Sequence, residues 1–420
     1  MIISEIVFGT ETEFTLIDKH THEPRSLEYL IESLLRESDN TLLGHSFYDD
    51  GFWEYGRLYD DNPFIEASTV ECTDPKQVAE HERYLEQFLT QILAEAGYLE
   101  DHYLTRQSGV RAEEKTYSGY HENYSTPKEL RHLFQHFYRP QVGRIASFLA
   151  TRPVWAGSGI TSVGNTGLTE RSGITKAVQS SEYTVGPSLF QLKFAPDKAK
   201  VPEIIEIRSG NASKTHVERT IGFTALFLIA LSQKRLSNIM LAEPLEVFQR
   251  LSRFSMYTPF VEWQSKRTIT PIDHQLMIAD ALQATEAPEH LLGYAQQVYD
   301  ACDTLKAYAK GGLDFSKLTE YTEWAAHRKH LQAHKAEPHE GWLAVPLDEK
   351  VQLNTPELPP TRARERARLM QEFGGRIISV DWNGVVLDRS TGRHGKRSYK
   401  LPKPHGGNVD ASTHPPGLHF

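Results

Sequence analysis

Along residues 6–16 the side chains alternate, so that Ile6, Phe8, Phe14 and Leu16 fall on one face of an extended chain while Glu11 and Glu13 share the other. The pattern predicts a half-buried strand with an acidic face. Residues 25–38 change period, and Leu27, Leu30, Ile31, Leu34 and Leu35 form the apolar stripe of a helix. Residues 54–72 read as two strands broken at Asn62 and Pro63, since proline cannot donate to a central ladder. Asp74 and Pro75 then start a helix whose apolar positions are Val78, Leu85, Phe88, Leu89 and Ile92, with Gly97 as its stop.

The stretch YSGYHENYSTP (117–127) reads as loop-rich. Leu130, Leu133, Phe134 and Phe137 predict a helix, and beyond Pro140 a second follows through Val142, Ile145 and Leu149. Residues 151–200, rich in Gly, Ser and Thr, suit strands and loops at a working surface. EIIEIRSGNAS reads as a strand and turn leading into an apolar helix around 216–234, and helical patterns dominate 243–340. A Pro-rich linker at 352–362 precedes a helix and the strand-like RIISVDWNGVVLD. These shifts predict a catalytic domain over 1–350, a small C-terminal domain over 351–401 and a disordered tail over 402–420.

With 39% hydrophobic and 24% charged residues in 420, the chain is an ordinary globular one. Its net charge of −9 argues against a broad nucleic-acid or anionic-membrane surface. Cys72 and Cys302 make neither a disulfide framework nor a zinc motif, and the start of the chain lacks a signal-peptide layout, so a cytoplasmic location is expected. The apolar run at 221–231 is too short to span a bilayer and reads as a buried core helix.

The chemistry concentrates in GRLYDDNPFIEASTVEC. Arg57, Tyr59 and Asp61 project from one strand face, and Glu66, Thr69 and Glu71 follow the break and are expected to turn toward the same cleft. Four or five carboxylates on one sheet surface repel each other unless water or cations compensate them, and Mg²⁺ with a nucleoside triphosphate would do so. The alternative is a solvated acidic face, which the Arg and Tyr among the acids argue against. His327, His330 and His334 lie at helical spacing, but without nearby acids they read as a helix beside the sheet. GSG at 157–159 reads as a tight turn as readily as a phosphate loop. HEN at 121–123 is either a neighbour of a metal site or a hydrogen-bonded loop cluster, and Cys72 reads as a small buried hydrophobe.

FGTETEF, GRLYDD with EASTVEC, YHENY, GNASKTHVERTIGFTALFL, EWAAHRKHL and SVDWNGVVL occur in one order, and in that order the chain resembles the Pup ligase and Pup deamidase (depupylase) family of the proteasome accessory factor type. The resemblance implies an α+β fold similar to glutamine synthetase and γ-glutamyl-cysteine ligase: a curved antiparallel sheet cradling ATP and Mg²⁺, backed by helices, with the small C-terminal domain completing the nucleotide site. It implies Glu11, Tyr59 and Glu66 as Mg²⁺ ligands, Arg57, Thr69 and Trp382 as ATP contacts, and Asp61 as the catalytic carboxylate. Glu13, Glu71, His121, Arg208 and Asn211 are further candidates. The implied partners are a small ubiquitin-like modifier (a Pup-like protein) and target-protein lysines, with no nucleic acid and no membrane. The implied activity is ATP-dependent isopeptide ligation through a γ-glutamyl phosphate. Depupylation, ligation of a small amino acid and non-catalytic nucleotide binding stay open beside it. The chain departs from the family pattern in one region: an Arg-Leu-His triplet is absent before Asn211, and residues 183–201 replace an arginine-rich segment, leaving Arg208 as the substitute cation.

Overall fold

The computed structural model describes residues 6–400 apart from 22, 26–28, 49–50, 62–63, 107–118, 160–167, 170, 181–186, 195–201, 211–215, 252–258, 263–264, 335–354, 360, 374–376, 382–383 and 389–395. The alternating stretch at the start forms the strand Phe8–Asp18 in the middle of a ten-stranded sheet. Its first half pairs antiparallel with Phe64–Thr69 on one side and Tyr120–Ser125 on the other, and its second half with the short strands Pro24–Arg25 and His102–Thr105. One flank continues through Gly56–Asp61 to Phe52–Trp53. The other runs through Pro202–Ile207 and Ser188–Phe194 to Ala177–Ser180.

That last pair is parallel, so the sheet is mixed rather than purely antiparallel as expected. Side-chain alternation is the same in both directions, and direction is set by how the connection returns. A second correction concerns 117–127, where Tyr120–Ser125 is a strand with a neighbour on each side. Its Gly- and Ser-rich surroundings hid a period of two: Tyr120, Glu122 and Tyr124 point into the core, and His121 and Asn123 point away from it.

Helices cover one face. Pro75–Glu95 begins as its sequence dictates, with Asp74 accepting from the Lys76 N–H and a capping box closed by Gln77. Lys128–Thr151 holds the two expected helical stretches, parted by a kink where Phe137 is non-helical, because Pro140 lacks an N–H and its ring crowds the carbonyl four residues back. Val217–Ser232 is apolar all round and accordingly buried, with Phe227 stacked on Phe148 at 4.1 Å between ring centroids. Between helix and sheet, both terminal nitrogens of Arg152 donate to Glu122 at 2.7 Å, which satisfies a carboxylate with no exposed surface. Of the helix expected over 25–38, the described residues show Leu30–Glu37, where Asp60 accepts from the Ile31 and Glu32 N–H groups at 3.1 and 2.9 Å. Asp60 therefore serves the helix side of its strand, leaving Asp61 to the other.

Beyond residue 354, the helix Arg362–Phe373 and the antiparallel strands Ile377–Asp381, Gly384–Asp388 and Lys396–Lys400 follow. Leu369, Met370, Val380 and Val385 pack with Phe52 at the edge of the main sheet. The expected boundary at 350 and the tail over 402–420 lie outside the described residues. Among the described residues no helix is long and apolar enough to cross a membrane.

Candidate active site

Because helices take the apolar face, the other face of the sheet gathers the polar alternates. Register fixes who meets whom. Glu11 lies opposite Ser68 and His121, Glu13 opposite Glu66, and Glu66 opposite Tyr59. Farther along, Asn123 lies opposite Glu206, which lies opposite Gln191. Two groups of donor atoms result, each within 4.8 Å: Glu13, Asp61 and Glu66, and Glu11, His121 and Glu206.

In the first group Glu66 is buried and Asp61 is exposed at the end of its strand. Burial and the neighbouring Glu11, Glu13 and Asp61 push the Glu66 carboxyl well above the ordinary range, although Tyr59 donates its O–H to it. Burial likewise raises Glu13, against the pull of His121 and Arg171. Glu13 also accepts from the Gly119 N–H, and a Cβ on Gly119 would sit 2.5 Å from Glu13 Oε1, so a side chain there would make this carboxylate shift. The Arg57 guanidinium lies 3.6 Å from the Tyr59 ring centroid, which fixes the phenol beneath a cation.

In the second group burial would raise Glu11, but the hydrogen bond with His121 and the nearby Lys193 bring it down to about 2. His121 Nδ1 stands 3.4 Å from Glu11 and 3.8 Å from Glu206. Lys193 is ion-paired with Glu206, and Arg208 Nε lies 3.3 Å from it. A cavity of about 280 Å³ adjoins this group, lined by Glu11, Ser68, Thr69, Asn123, Lys193 and Arg362 among others.

The structure thus brings Glu11, Glu13, Arg57, Tyr59, Asp61, Glu66, His121 and Arg208 to one face. It separates two others. Thr69 has the opposite parity to Glu66; it reaches the cavity wall, but its hydroxyl accepts the Thr10 N–H at 2.9 Å. Glu71 leaves the acid clusters altogether, because Arg362 and Arg366 hold its carboxylate at 2.5 and 2.9 Å, and this corrects its reading as a metal candidate. Of HEN, Glu122 belongs to the core pair with Arg152, while His121 and Asn123 face the site. GSG is not a turn but extended backbone at Gly157, packed so closely that a Cβ there would collide with the Leu168 carbonyl, and Gly159 bridges to Thr169. Trp382, Asn211 and the side chains of His327, His330 and His334 lie outside the described residues. Sequence reasoning missed Glu206, Lys193 and Arg171. For Glu206 a signal existed, since Arg208 two residues on shares its strand face.

A sequence model of the Pup-ligase protein family matches residues 6–354. The chain belongs to the Pup-ligase family. It is 24% identical over 381 residues to the Pup deamidase/depupylase of Mycobacterium tuberculosis, covering 79% of this chain and 74% of that protein. To the enzyme of the same name from Mycolicibacterium smegmatis it is 22% identical over 386 residues, with the same coverage. Two solved structures share the fold. The Pup ligase PafA in complex with Pup gives a TM-score of 0.70 at 17% identity, over 96% of this chain and 89% of that one. PafA in complex with ADP gives 0.64 at 17% identity, over 91% of each chain.

Proposed function

We propose that this member of the Pup-ligase family is an ATP- and Mg²⁺-dependent ligase that joins a glutamate side-chain carboxylate of a small Pup-like modifier to lysine amines of target proteins. The observation that carries the reading is the juxtaposition of Glu13, Asp61 and Glu66 within 4.8 Å, on a face bordered by a cavity that Lys193 and Arg362 line. Carboxylate oxygens suit a hard cation such as Mg²⁺. Burial first, and then the negative charge of Glu11, Glu13 and Asp61, raise the proton affinity of Glu66, and such a cation would offset both.

Glu11, Tyr59 and Glu66 are the proposed Mg²⁺ ligands, with Glu13 within reach of the same ion. Mg²⁺ would offset phosphate charge, while ATP supplies the phosphoryl group that converts the carboxylate into a γ-glutamyl phosphate. Arg57 is already held over Tyr59 and would orient the nucleotide, Thr69 would contact it from the cavity wall, and Trp382 is the further proposed nucleotide contact. Asp61, exposed beside the buried carboxylates, would take a proton from the incoming ammonium, a contribution of ~10²- to 10⁴-fold for a positioned general base.

The test is incubation with a Pup-like protein ending in glutamate, a lysine-bearing target, ATP and Mg²⁺. Conjugate with ADP and phosphate is expected; AMP and pyrophosphate would overturn the reading. A second reading rests on the name of the curated relatives, depupylases: Asp61 would then act on the isopeptide carbonyl directly or through water. Release of free target from a preformed conjugate would favour it.

A further inference from the structure

Lys193 reaches the site from the strand Ser188–Phe194 and forms an ion pair with Glu206, the carboxylate whose other oxygen lies 3.8 Å from His121 Nδ1 and 3.3 Å from Arg208 Nε. The group formed by Glu11, His121 and Glu206 has the spacing of a cation site and already contains a cation. An ammonium is a compact point charge with three donors, and it would repel a divalent ion drawn to the same oxygens. Around Glu13, Asp61 and Glu66 the donors are the Tyr59 hydroxyl to Glu66 and the Gly119 N–H to Glu13, with the charge of Arg171 also acting on Glu13; Glu66 and Asp61 keep carboxylate lone pairs for a metal.

We infer that the Lys193 ammonium takes the place a second divalent cation would occupy among Glu11, His121 and Glu206, so that the chain binds one cation fewer than its two donor groups allow. The inference rests on the proposed metal-dependent reading of the site. It gives Lys193 a charge-balancing role: the residue supplies fixed positive charge on the side of the face where Glu206 and Arg208 sit.

Mn²⁺ binding to the full chain, counted by electron paramagnetic resonance without nucleotide, tests it. Wild type should bind one Mn²⁺, Glu66→Gln none, and Lys193→Met two, with the added ion lost again in Lys193→Met/Glu206→Gln. Lys193→Arg should keep the wild-type count, which separates loss of charge from damage to the fold. A Lys193→Met protein that binds the same number as wild type overturns the inference and leaves the proposed function standing. Wild type binding two ions overturns it as well. If wild type binds none and Lys193→Met binds one, the inference holds and the metal-dependent reading of the Glu66 group fails.

Discussion

Glu71→Gln should loosen the C-terminal helix from the sheet. The Glu71 carboxylate accepts from Arg362 Nε at 2.5 Å and from Arg366 Nη2 and Nη1 at 2.9 and 3.3 Å, and Arg366 is only 1% exposed. Burial would raise this carboxyl, yet Arg366 and Arg362 outweigh it and hold it at about 2 instead of the ordinary 4.5. That difference corresponds to about 3 kcal/mol of folding free energy at neutral pH. Breaking a buried pair on one side costs roughly 3–5 kcal/mol, since the remaining cations lose their counter-charge, and the two figures agree. The sign follows from the lowered value: stability is fully present above about 4.5 and is lost as pH falls toward about 2. Urea unfolding as a function of pH is the assay. Wild type should lose stability through that window, while Glu71→Gln should start about 3 kcal/mol lower at pH 7 and show a flatter acid limb. Arg362 also lines the cavity beside Glu11, so limited proteolysis should cut the variant earlier around 362–373 and ATP should protect it less. A variant within about 0.5 kcal/mol of wild type at pH 7 would show that the two arginines are held by other contacts.

Asp61→Asn should leave ATP affinity within a few fold of the parent while turnover falls by at least ~10²-fold, whereas Glu11→Gln should weaken nucleotide binding itself; isothermal titration beside steady-state rates separates the two, and near-parental turnover in Asp61→Asn would mean the wrong carboxylate has been assigned. Glu66→Gln should raise the thermal midpoint of the metal-free protein, because a carboxyl whose folded value is raised opposes folding once ionised. The same variant should lose Mn²⁺ binding, and a lower midpoint by calorimetry would refute the claim that this group is charge-strained.

What the sequence revealed follows the range over which each physical rule acts. The split of the opening strand into Phe8 and Phe14 against Glu11 and Glu13 is a local period of two, and the structure keeps it. The start at Asp74 and Pro75 is likewise decided within one turn. Thr69, three residues from Glu66, has the opposite parity, so the same rule takes it off the acid face and onto the cavity wall. Glu71 was not legible, because its partners Arg362 and Arg366 lie 291 and 295 residues away and no local pattern announces an ion pair. The one parallel pairing of the described sheet strands was not legible for a related reason, since the return path of a connection decides strand direction at Ala177–Ser180.

The departures from the family pattern are not scattered over the site. Glu11, Glu13, Arg57, Tyr59, Asp61 and Glu66 come from three adjacent strands that follow the resemblance. Lys193 lies within the segment that replaces the arginine-rich stretch, and Glu206 and Arg208 lie where Arg-Leu-His is missing. Lys193 and Arg208 both pair with Glu206 on the far flank of the sheet, so that each cation there already has a carboxylate against it and the three together carry a net charge of +1. Such a flank presents less unspent positive charge to an incoming carboxylate. The acid flank, by contrast, retains every group that the proposed phosphoryl chemistry requires. Divergence confined to one flank therefore argues for a change in how the modifier's glutamate carboxylate is held, with the manner of its activation left as it was.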